Sequence, residues 1–442
     1  MNEKTTALKT TDTARKGAKF AKKKYEEALS GENPVAWGMA RLGGAHAILK
    51  ALGVIPLYPE NYATVCAAKQ VSVPYLDLSA AEGLSRYLCG YFRTDVGFLA
   101  KYVKEGKAPE EAPWGGIAKP DFFLPNWRWK LCDEGVKFFH NLGRYIDVPS
   151  FTLDLPVPPP SHIYAEARPY YVRYCEDQYR ELQKFIENLT GRKMDMVLFE
   201  EAVDNTLETM RLWYECNELR KAVPCPMPAQ DAWSCLVPGY YWPGDKESAE
   251  FYTELHGELT ERVANRTGSV PNEQYRLVFT EGAPYHSLSV FDYFAEIGVV
   301  IVIEGAYYEP GPPPEIASDA DPFHKLALRY FADYDVWLQK ATEGAGTWET
   351  ERYLDWATGY QCDGAIMHHC LDCRAISTLL PHIRNMLLER ACVPSYFLEN
   401  CLVDPRDLPP IEKIKSEMQA FLEVMDHHKE LRLQNGLPVA HP

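Results

Sequence analysis

The sequence predicts an α/β protein: two doubly wound parallel-sheet lobes with an intervening region of long helices. Three observations predict it. Short apolar runs alternate with helical patterns over residues 53–160 and again over 271–442, the rhythm of parallel strands joined by crossover helices. The proline-rich stretch Leu155-Pro-Val-Pro-Pro-Pro160 breaks the first alternation and reads as a stiff polyproline connector. Residues 161–270 are dominated by long amphipathic patterns, chiefly 164–189 and 195–221.

Taken in order, residues 1–52 read as an N-terminal helical region. Within it, Ala45-His-Ala-Ile-Leu-Lys-Ala-Leu-Gly53 has the form of a helix ended by glycine. The first lobe, 53–160, opens on the apolar run Val54-Ile-Pro-Leu-Tyr58, a strand candidate, and Pro59-Glu60-Asn61 starts the next helix. Residues 121–124 and 148–153 are two further strand candidates. In the second lobe, 271–442, strands are expected at 275–280, 299–303, 362–367 and 395–398, and a helix over about 411–428 closes the chain.

Composition excludes several classes. The chain has 442 residues, 46% hydrophobic and 24% charged, which is ordinary for a globular protein with a large core. A formal net charge of −16 disfavours nucleic acid and anionic membrane surfaces as partners. The basic stretch Lys16-Gly-Ala-Lys19-Phe-Ala-Lys22-Lys23-Lys24 is read as a solvated helical face. No apolar run approaches the ~20 residues that span a bilayer, and no secretory apolar core opens the chain, so a cytoplasmic location is expected. There the twelve cysteines are buried thiols, metal ligands or reactive thiols rather than disulfides. The glycosylation-type matches at Asn188 and Asn265 carry no meaning in that compartment.

Cys89, Cys132 and Cys373 are the most informative of the twelve. Their contexts are Glu82-Gly-Leu-Ser-Arg-Tyr-Leu-Cys89-Gly-Tyr-Phe-Arg, Pro120-Asp-Phe-Phe-Leu ahead of Cys132-Asp, and Asp363-Gly-Ala-Ile-Met-His-His-Cys-Leu-Asp-Cys373-Arg. Three thiolates can hold three irons of a cubane and leave the fourth open to a substrate oxygen. Ligands of open α/β sheets bind outside the carboxyl ends of the strands, and Cys132 and Cys373 each follow a strand candidate. Two facing lobes would set Cys89 and Cys132 opposite Cys373. Buried thiols acting as small apolar groups are the plain alternative. Cys370-x-x-Cys373 also suggests zinc or a dithiol, but zinc would want a second close pair, and Cys216 and Cys225 are too far apart in sequence.

Other polar residues are weaker candidates. His368-His369 are ligands, proton donors or structural groups; Glu281-Gly-Ala-Pro-Tyr-His286 is a cofactor loop or a plain turn; Asp404-Pro-Arg406 reads as a structural turn and ion pair. No P-loop, no Gly-x-Gly-x-x-Gly after a strand and no Gly-x-Ser-x-Gly elbow occurs. Electrons for any redox chemistry must come from a partner.

These segments, with Leu52-Gly-Val-Ile-Pro-Leu-Tyr-Pro-Glu-Asn61, Tyr275-Arg-Leu-Val and Leu402-Val-Asp-Pro-Arg406, resemble the benzoyl-CoA reductase / 2-hydroxyacyl-CoA dehydratase family over nearly the whole chain. The chain looks most like the longer B-type subunit of ATP-dependent benzoyl-CoA reductase. The resemblance implies a 4Fe–4S cluster between the lobes, with Cys89, Cys132 and Cys373 as ligands. It implies an aromatic acyl-CoA substrate whose ring is dearomatised through a ketyl radical, as in anaerobic aromatic degradation. The implied partners are a smaller homologous C-type subunit, ATP-hydrolysing iron–sulfur activator subunits and reduced ferredoxin upstream. An oxidoreductase is thus expected. The alternatives are a lyase of the (R)-2-hydroxyacyl-CoA dehydratase type, a double-cubane cluster reductase drawing on Cys66, Cys362 and Cys370, and a non-enzymatic electron-transfer or scaffold subunit. Cys401 departs from the family, where an acidic residue is more usual.

Overall fold

The computed structural model describes residues 8–126, 132–157, 164–280, 282–306, 311–343 and 348–441. Among the described residues, seven strands form two wholly parallel sheets. The first contains β1 (Val35–Gly38), β2 (Ile55–Leu57) and β3 (Phe122–Leu124) in the order β2-β1-β3. Trp37 of β1 stands opposite Leu57 on one side and Phe123 on the other. The second contains β4 (Tyr275–Phe279), β5 (Val299–Glu304), β6 (Gly364–Cys370) and β7 (Ser395–Asn400), ordered β5-β4-β6-β7. In each sheet the winding reverses at its first strand. The β1/β3 and β4/β6 boundaries are therefore the switch points where doubly wound sheets open a crevice.

β1 corrects the sequence reading. Residues 35–38 lie inside the region expected to be helical, yet they are the central strand of the first sheet. All four residues are buried. A short strand covered on both faces shows no alternation, so its pattern does not differ from that of a buried helix segment. The candidate at 148–153 is reduced to isolated bridges, Phe123 with Ser150 and Asn126 with Leu153. The other strand expectations fall on β2 to β7. Most of the polyproline stretch, 158–160, lies outside the described residues.

The central helices run Tyr164–Thr190, Met196–Leu219, Ala229–Tyr241 and Lys246–Ala264. Asp195 caps the second, accepting from the amides of Val197 at 3.0 Å and Leu198 at 3.1 Å. Arg220, just past that helix, locks the helical region to the second sheet. Its guanidinium makes a bidentate pair with Glu304 at the end of β5, at 3.0 and 2.6 Å, and also donates to Asn217 Oδ1 and the Met227 carbonyl. Both partners are fully buried.

The N-terminal helix Ala14–Leu29 lies across the helical region, with Gly17 so close to the Ser234 carbonyl that a Cβ would overlap it. Its basic face is partnered. Lys16 pairs with Glu254, Lys23 with Glu247 at 2.6 Å and Lys24 with Asp245 at 2.5 Å. Ahead of it, Thr10 and Thr11 donate to the buried Asp231 carboxylate. The helix Ile411–Gln434 covers the second sheet, and there the Asp363-Gly364 pair gains its meaning. Asp363 accepts from Arg432 at 2.6 Å and from the Arg276 amide at 2.9 Å, and a Cβ on Gly364 would press on Met425 and Phe421. No helix among the described residues is long and apolar enough to cross a membrane.

Breaking the Arg220–Glu304 pair from one side leaves an uncompensated buried charge. Glu304→Gln is expected to cost about 3–5 kcal/mol, while Arg220→Met/Glu304→Leu costs less than that single change, because no charge is left buried. Urea unfolding of the three proteins is the check, and a Glu304→Gln variant as stable as wild type would remove the pair from the framework.

Candidate functional site

The three singled-out cysteines occupy one kind of position. Cys89 is the N-cap of the helix Gly90–Glu105, Cys132 of Asp133–Leu142 and Cys373 of the short turn Arg374–Ser377. Each departs from helical geometry, with ψ of 125°, 135° and 98° respectively, and none uses its side chain to cap its own helix. The unsatisfied amides at a helix N-terminus favour a negative group there. Thiolates are the usual protein ligands of 4Fe–4S clusters, so the donor chemistry fits an iron–sulfur group.

Two of the three come from different lobes, and their segments touch. The residue after Cys89 is Gly90, and the residue before Cys373 is Asp372. A Cβ on Gly90 would overlap the Asp372 carboxylate and lie 2.6 Å from Val403 Cγ2. A residue without a Cβ lets the start of this helix sit against the β6 turn with no shift of these side chains. The helix that Cys132 opens packs on the helix that Cys89 opens, with Phe92 and Phe138 tilted and their ring centroids 5.6 Å apart. The five residues immediately before Cys132 lie outside the described residues. Among the described residues, no three His, Cys, Asp or Glu side chains converge closely enough for a single metal ion. A cubane asks less, because its thiolates bind separate irons around a common space.

The lobes meet through a dry patch ringed by polar contacts. Ala67 and Leu76 of the first lobe pack with Cys370, Leu402 and Val403 of the second, and Tyr91, Tyr285 and Cys373 lie against them. Ser72 Oγ donates to the Val403 carbonyl at 2.7 Å and Gln70 Nε2 to the His286 carbonyl at 2.9 Å. Arg86 pairs with Asp407 at 2.5 Å, and Arg406 spans Asp404 and Asp77. The expectation that Asp404-Pro-Arg406 is a structural turn with an ion pair agrees with this geometry.

The histidines are structural. His368 is buried on β6, with Nδ1 on the Gly282 carbonyl at 2.5 Å and the Cys370 sulfur 3.4 Å away. His286 is buried with Nε2 on the Cys401 carbonyl at 3.0 Å, which makes it the Nε2–H tautomer, and Ser287 Oγ lies 2.8 Å from Nδ1. His369 projects outward beside Glu399 at 3.3 Å. Glu281 lies outside the described residues, and the Gly282–His286 segment buttresses the second-lobe turns. Pro59 opens the helix Pro59–Ala68 as expected, and Glu60 Oε1 accepts from the Ala40 amide at 2.8 Å, tying the ends of β1 and β2 together.

The surplus cysteines are mostly core. Cys66, Cys175, Cys216, Cys235 and Cys362 are completely buried, and burial pushes their thiols upward, Cys175 and Cys362 to about 12. They behave as small apolar groups. Cys401, the family departure, is buried with its sulfur 3.1 Å from Asp407 Oδ2.

Sequence reasoning assigned no role to Arg93 or Asp372. Asp372 is 1% exposed; its Oδ1 accepts from the Leu402 amide at 3.2 Å, and its Oδ2 has no hydrogen-bond partner. Burial pushes its carboxyl up to about 6, opposed by the Leu402 amide and Arg93. The signal was the position of each residue: one inside Cys370-x-x-Cys373, the other one helical turn after Cys89.

Two doubly wound parallel lobes that meet around cysteine-bearing turns define an α/β protein with a thiol-rich inter-lobe site. The chain belongs to the family described as 2-hydroxyglutaryl-CoA dehydratase, D-component, whose model matches residues 45–425. It is 25% identical to the (R)-2-hydroxyisocaproyl-CoA dehydratase alpha subunit of Clostridioides difficile, over 90% of this chain and 91% of that one. It is 23% identical to the (R)-phenyllactyl-CoA dehydratase alpha subunit of Clostridium sporogenes, over 87% and 88%. It is also 22% identical to the B-type subunit of benzoyl-CoA reductase from Thauera aromatica, over 88% of each chain.

Two outcomes follow from this geometry. Gly90→Ala is expected to destabilise by about 1–3 kcal/mol through overpacking. Gly257→Ala, in a helix interior with nothing within 4 Å of the added carbon, should stabilise by about 0.4–1 kcal/mol. Equal effects in urea unfolding would deny the tight inter-lobe contact.

The second outcome concerns acid. Burial pulls His46, His286 and His368 each down to about 4. Below the unfolded value of ~6.5 the unfolded chain then binds more protons than the folded one, so stability falls as pH drops toward 4. Asp372 opposes this with one proton below about 6, and the three histidines outweigh it. The melting temperature should decline steadily from about pH 6.5 to about pH 4.5; a flat profile would mean these imidazoles are not buried neutral.

Proposed function

We propose that this chain is the cluster-bearing subunit of an enzyme performing one-electron chemistry on an acyl-CoA thioester, with Cys89, Cys132 and Cys373 as ligands of one 4Fe–4S cluster. One observation carries the reading: three thiols drawn from both lobes all stand at helix N-termini, and the turns bearing Cys89 and Cys373 meet at Gly90 and Asp372. When bound, such a cluster supplies low-potential electrons and, at an iron without a protein ligand, a Lewis acid for the thioester carbonyl. The residues of this chain supply the rest. The N-termini of the helices opened by Cys89 and Cys132 favour anionic ligands. The apolar patch of Ala67, Leu76, Leu402 and Val403 keeps water from the inter-lobe contact.

The reaction we assign is two-electron reduction of an aromatic acyl-CoA, on the likeness of the 402–406 segment to the B-type reductase subunit. Dehydration of a 2-hydroxyacyl-CoA is the second reading, favoured by the family description and by the two clostridial relatives. Both need a partner subunit and a separate ATP-driven electron donor. The relatives named as alpha or B-type subunits support that, as does the lack of a P-loop motif in this sequence.

Two measurements test this. Cys89→Ala, Cys132→Ala and Cys373→Ala should each lose most of the iron and visible absorbance, whereas Cys370→Ala keeps them. Full iron in Cys373→Ala with loss in Cys370→Ala would overturn the ligand set. ATP consumed per product then separates the reactions. A reductase leaves two electrons in product and needs ATP on every cycle, while a dehydratase recovers its electron and continues after ATP is removed.

A further inference from the structure

Arg93 lies one helical turn past Cys89, on the same face of the helix Gly90–Glu105. Side chains on a helix lean toward its N-terminus, so this one leans toward Cys89. Arg93 is 2% exposed. Of the five N–H donors of a guanidinium, only Nη1 has an acceptor among the described residues, the Arg86 carbonyl at 2.8 Å, and Nε is buried without one. A buried cation so poorly hydrogen-bonded is costly unless charge compensates it. Among the described residues no carboxylate is in ion-pair contact with it, and the compensation, at longer range, comes from the other lobe. Asp404 and Asp372 attract the guanidinium and oppose the downward pull of burial. Both are buried, Asp372 at 1% and Asp404 at 5% exposure. Asp372 precedes Cys373 and has an orphan Oδ2 directed at Gly90; Asp404 is held by Arg406 at 2.8 Å.

Building on the cluster reading above, we propose that Arg93 is a positioning residue on the Cys89 helix, and that its charge raises the reduction potential of the group held at the lobe boundary. The physics is that of outer-shell partners generally: a fixed positive charge and unfilled donors beside thiolate ligands orient them and favour the more negative, reduced state. Arg93 and Asp404 act with opposite sign, which gives the inference a signature that mere packing does not have.

The test uses the chain purified anoxically with the subunits that accompany it. Iron and acid-labile sulfide are counted per chain, and the midpoint potential is read by redox titration followed by electron paramagnetic resonance. In Arg93→Gln the reduced-to-oxidised ratio at the wild-type midpoint should fall about tenfold or more, a downward shift of at least ~59 mV for one electron. Arg93→Lys should recover most of that shift, and Asp404→Asn should move the potential upward. If the Gln variant does not fold, the Lys and Asn variants carry the test, since an unchanged potential in Asp404→Asn overturns the inference. Loss of iron in the Arg93 variants with an unshifted potential in the remainder would assign Arg93 a purely structural role and overturn it as well. A wild-type chain without iron would overturn the cluster reading itself, and the Arg93 inference with it.

Discussion

The structure turns on one close approach, the first turn of the helix Gly90–Glu105 against the turn after β6. Gly90 stands so close to the Asp372 and Val403 side chains that an added Cβ would force them to shift. That contact sets the spacing of Cys89 and Cys373, residues from different lobes and 284 positions apart in sequence. The other inter-lobe contacts, Ser72 on Val403, Arg86 on Asp407 and Arg406 on Asp77, hold the same two surfaces in register. A second close approach supports the first. A Cβ on Gly97 would overlap the Tyr75 carbonyl, so the helices Ser72–Ala81 and Gly90–Glu105 pack with their backbones close together and present one rigid face.

Charge is handled differently in the frame and at the site. In the frame, buried ions are matched in bidentate or networked pairs. Arg220 faces Glu304, Arg432 faces Asp363, and Arg276 reaches Glu273 at 2.6 Å with several carbonyls around it. Such pairs hold one arrangement of elements because each partner is costly alone. At the lobe boundary the matching is incomplete. Arg93 Nε, Asp372 Oδ2 and Asn400 Nδ2 are buried without hydrogen-bond partners. Arg432 Nε, in the frame, also lacks one among the described residues, so the difference is that Arg432 still has a direct ion pair and Arg93 has none there.

Position sorts eight of the twelve cysteines, Cys89 being itself buried. Cys66, Cys175, Cys216, Cys235 and Cys362 sit in the core, where desolvation keeps the thiol protonated. Cys89, Cys132 and Cys373 sit at helix starts, where the backbone offers amides to a negative group. Cys362 belongs to the core of the second lobe rather than to its crevice. That weakens its part in a double-cubane arrangement.

The sequence by itself determined the class of fold, six of the seven strands and the long helices, because each of those segments carries its own periodicity or apolar run. It also singled out Cys89, Cys132 and Cys373, through their local contexts. It did not reveal β1, since four residues buried on both faces carry no alternation and resemble a helix fragment. It made a strand of 148–153, where the chain forms only two bridges, because apolar content does not say whether a neighbouring strand is within pairing distance. Only the tertiary structure decided that Gly90 meets Asp372, that Arg93 is buried, and that His286 and His368 are buried on carbonyl partners. Those are long-range juxtapositions, and a local pattern encodes the shape of a segment but not which distant surface will cover it.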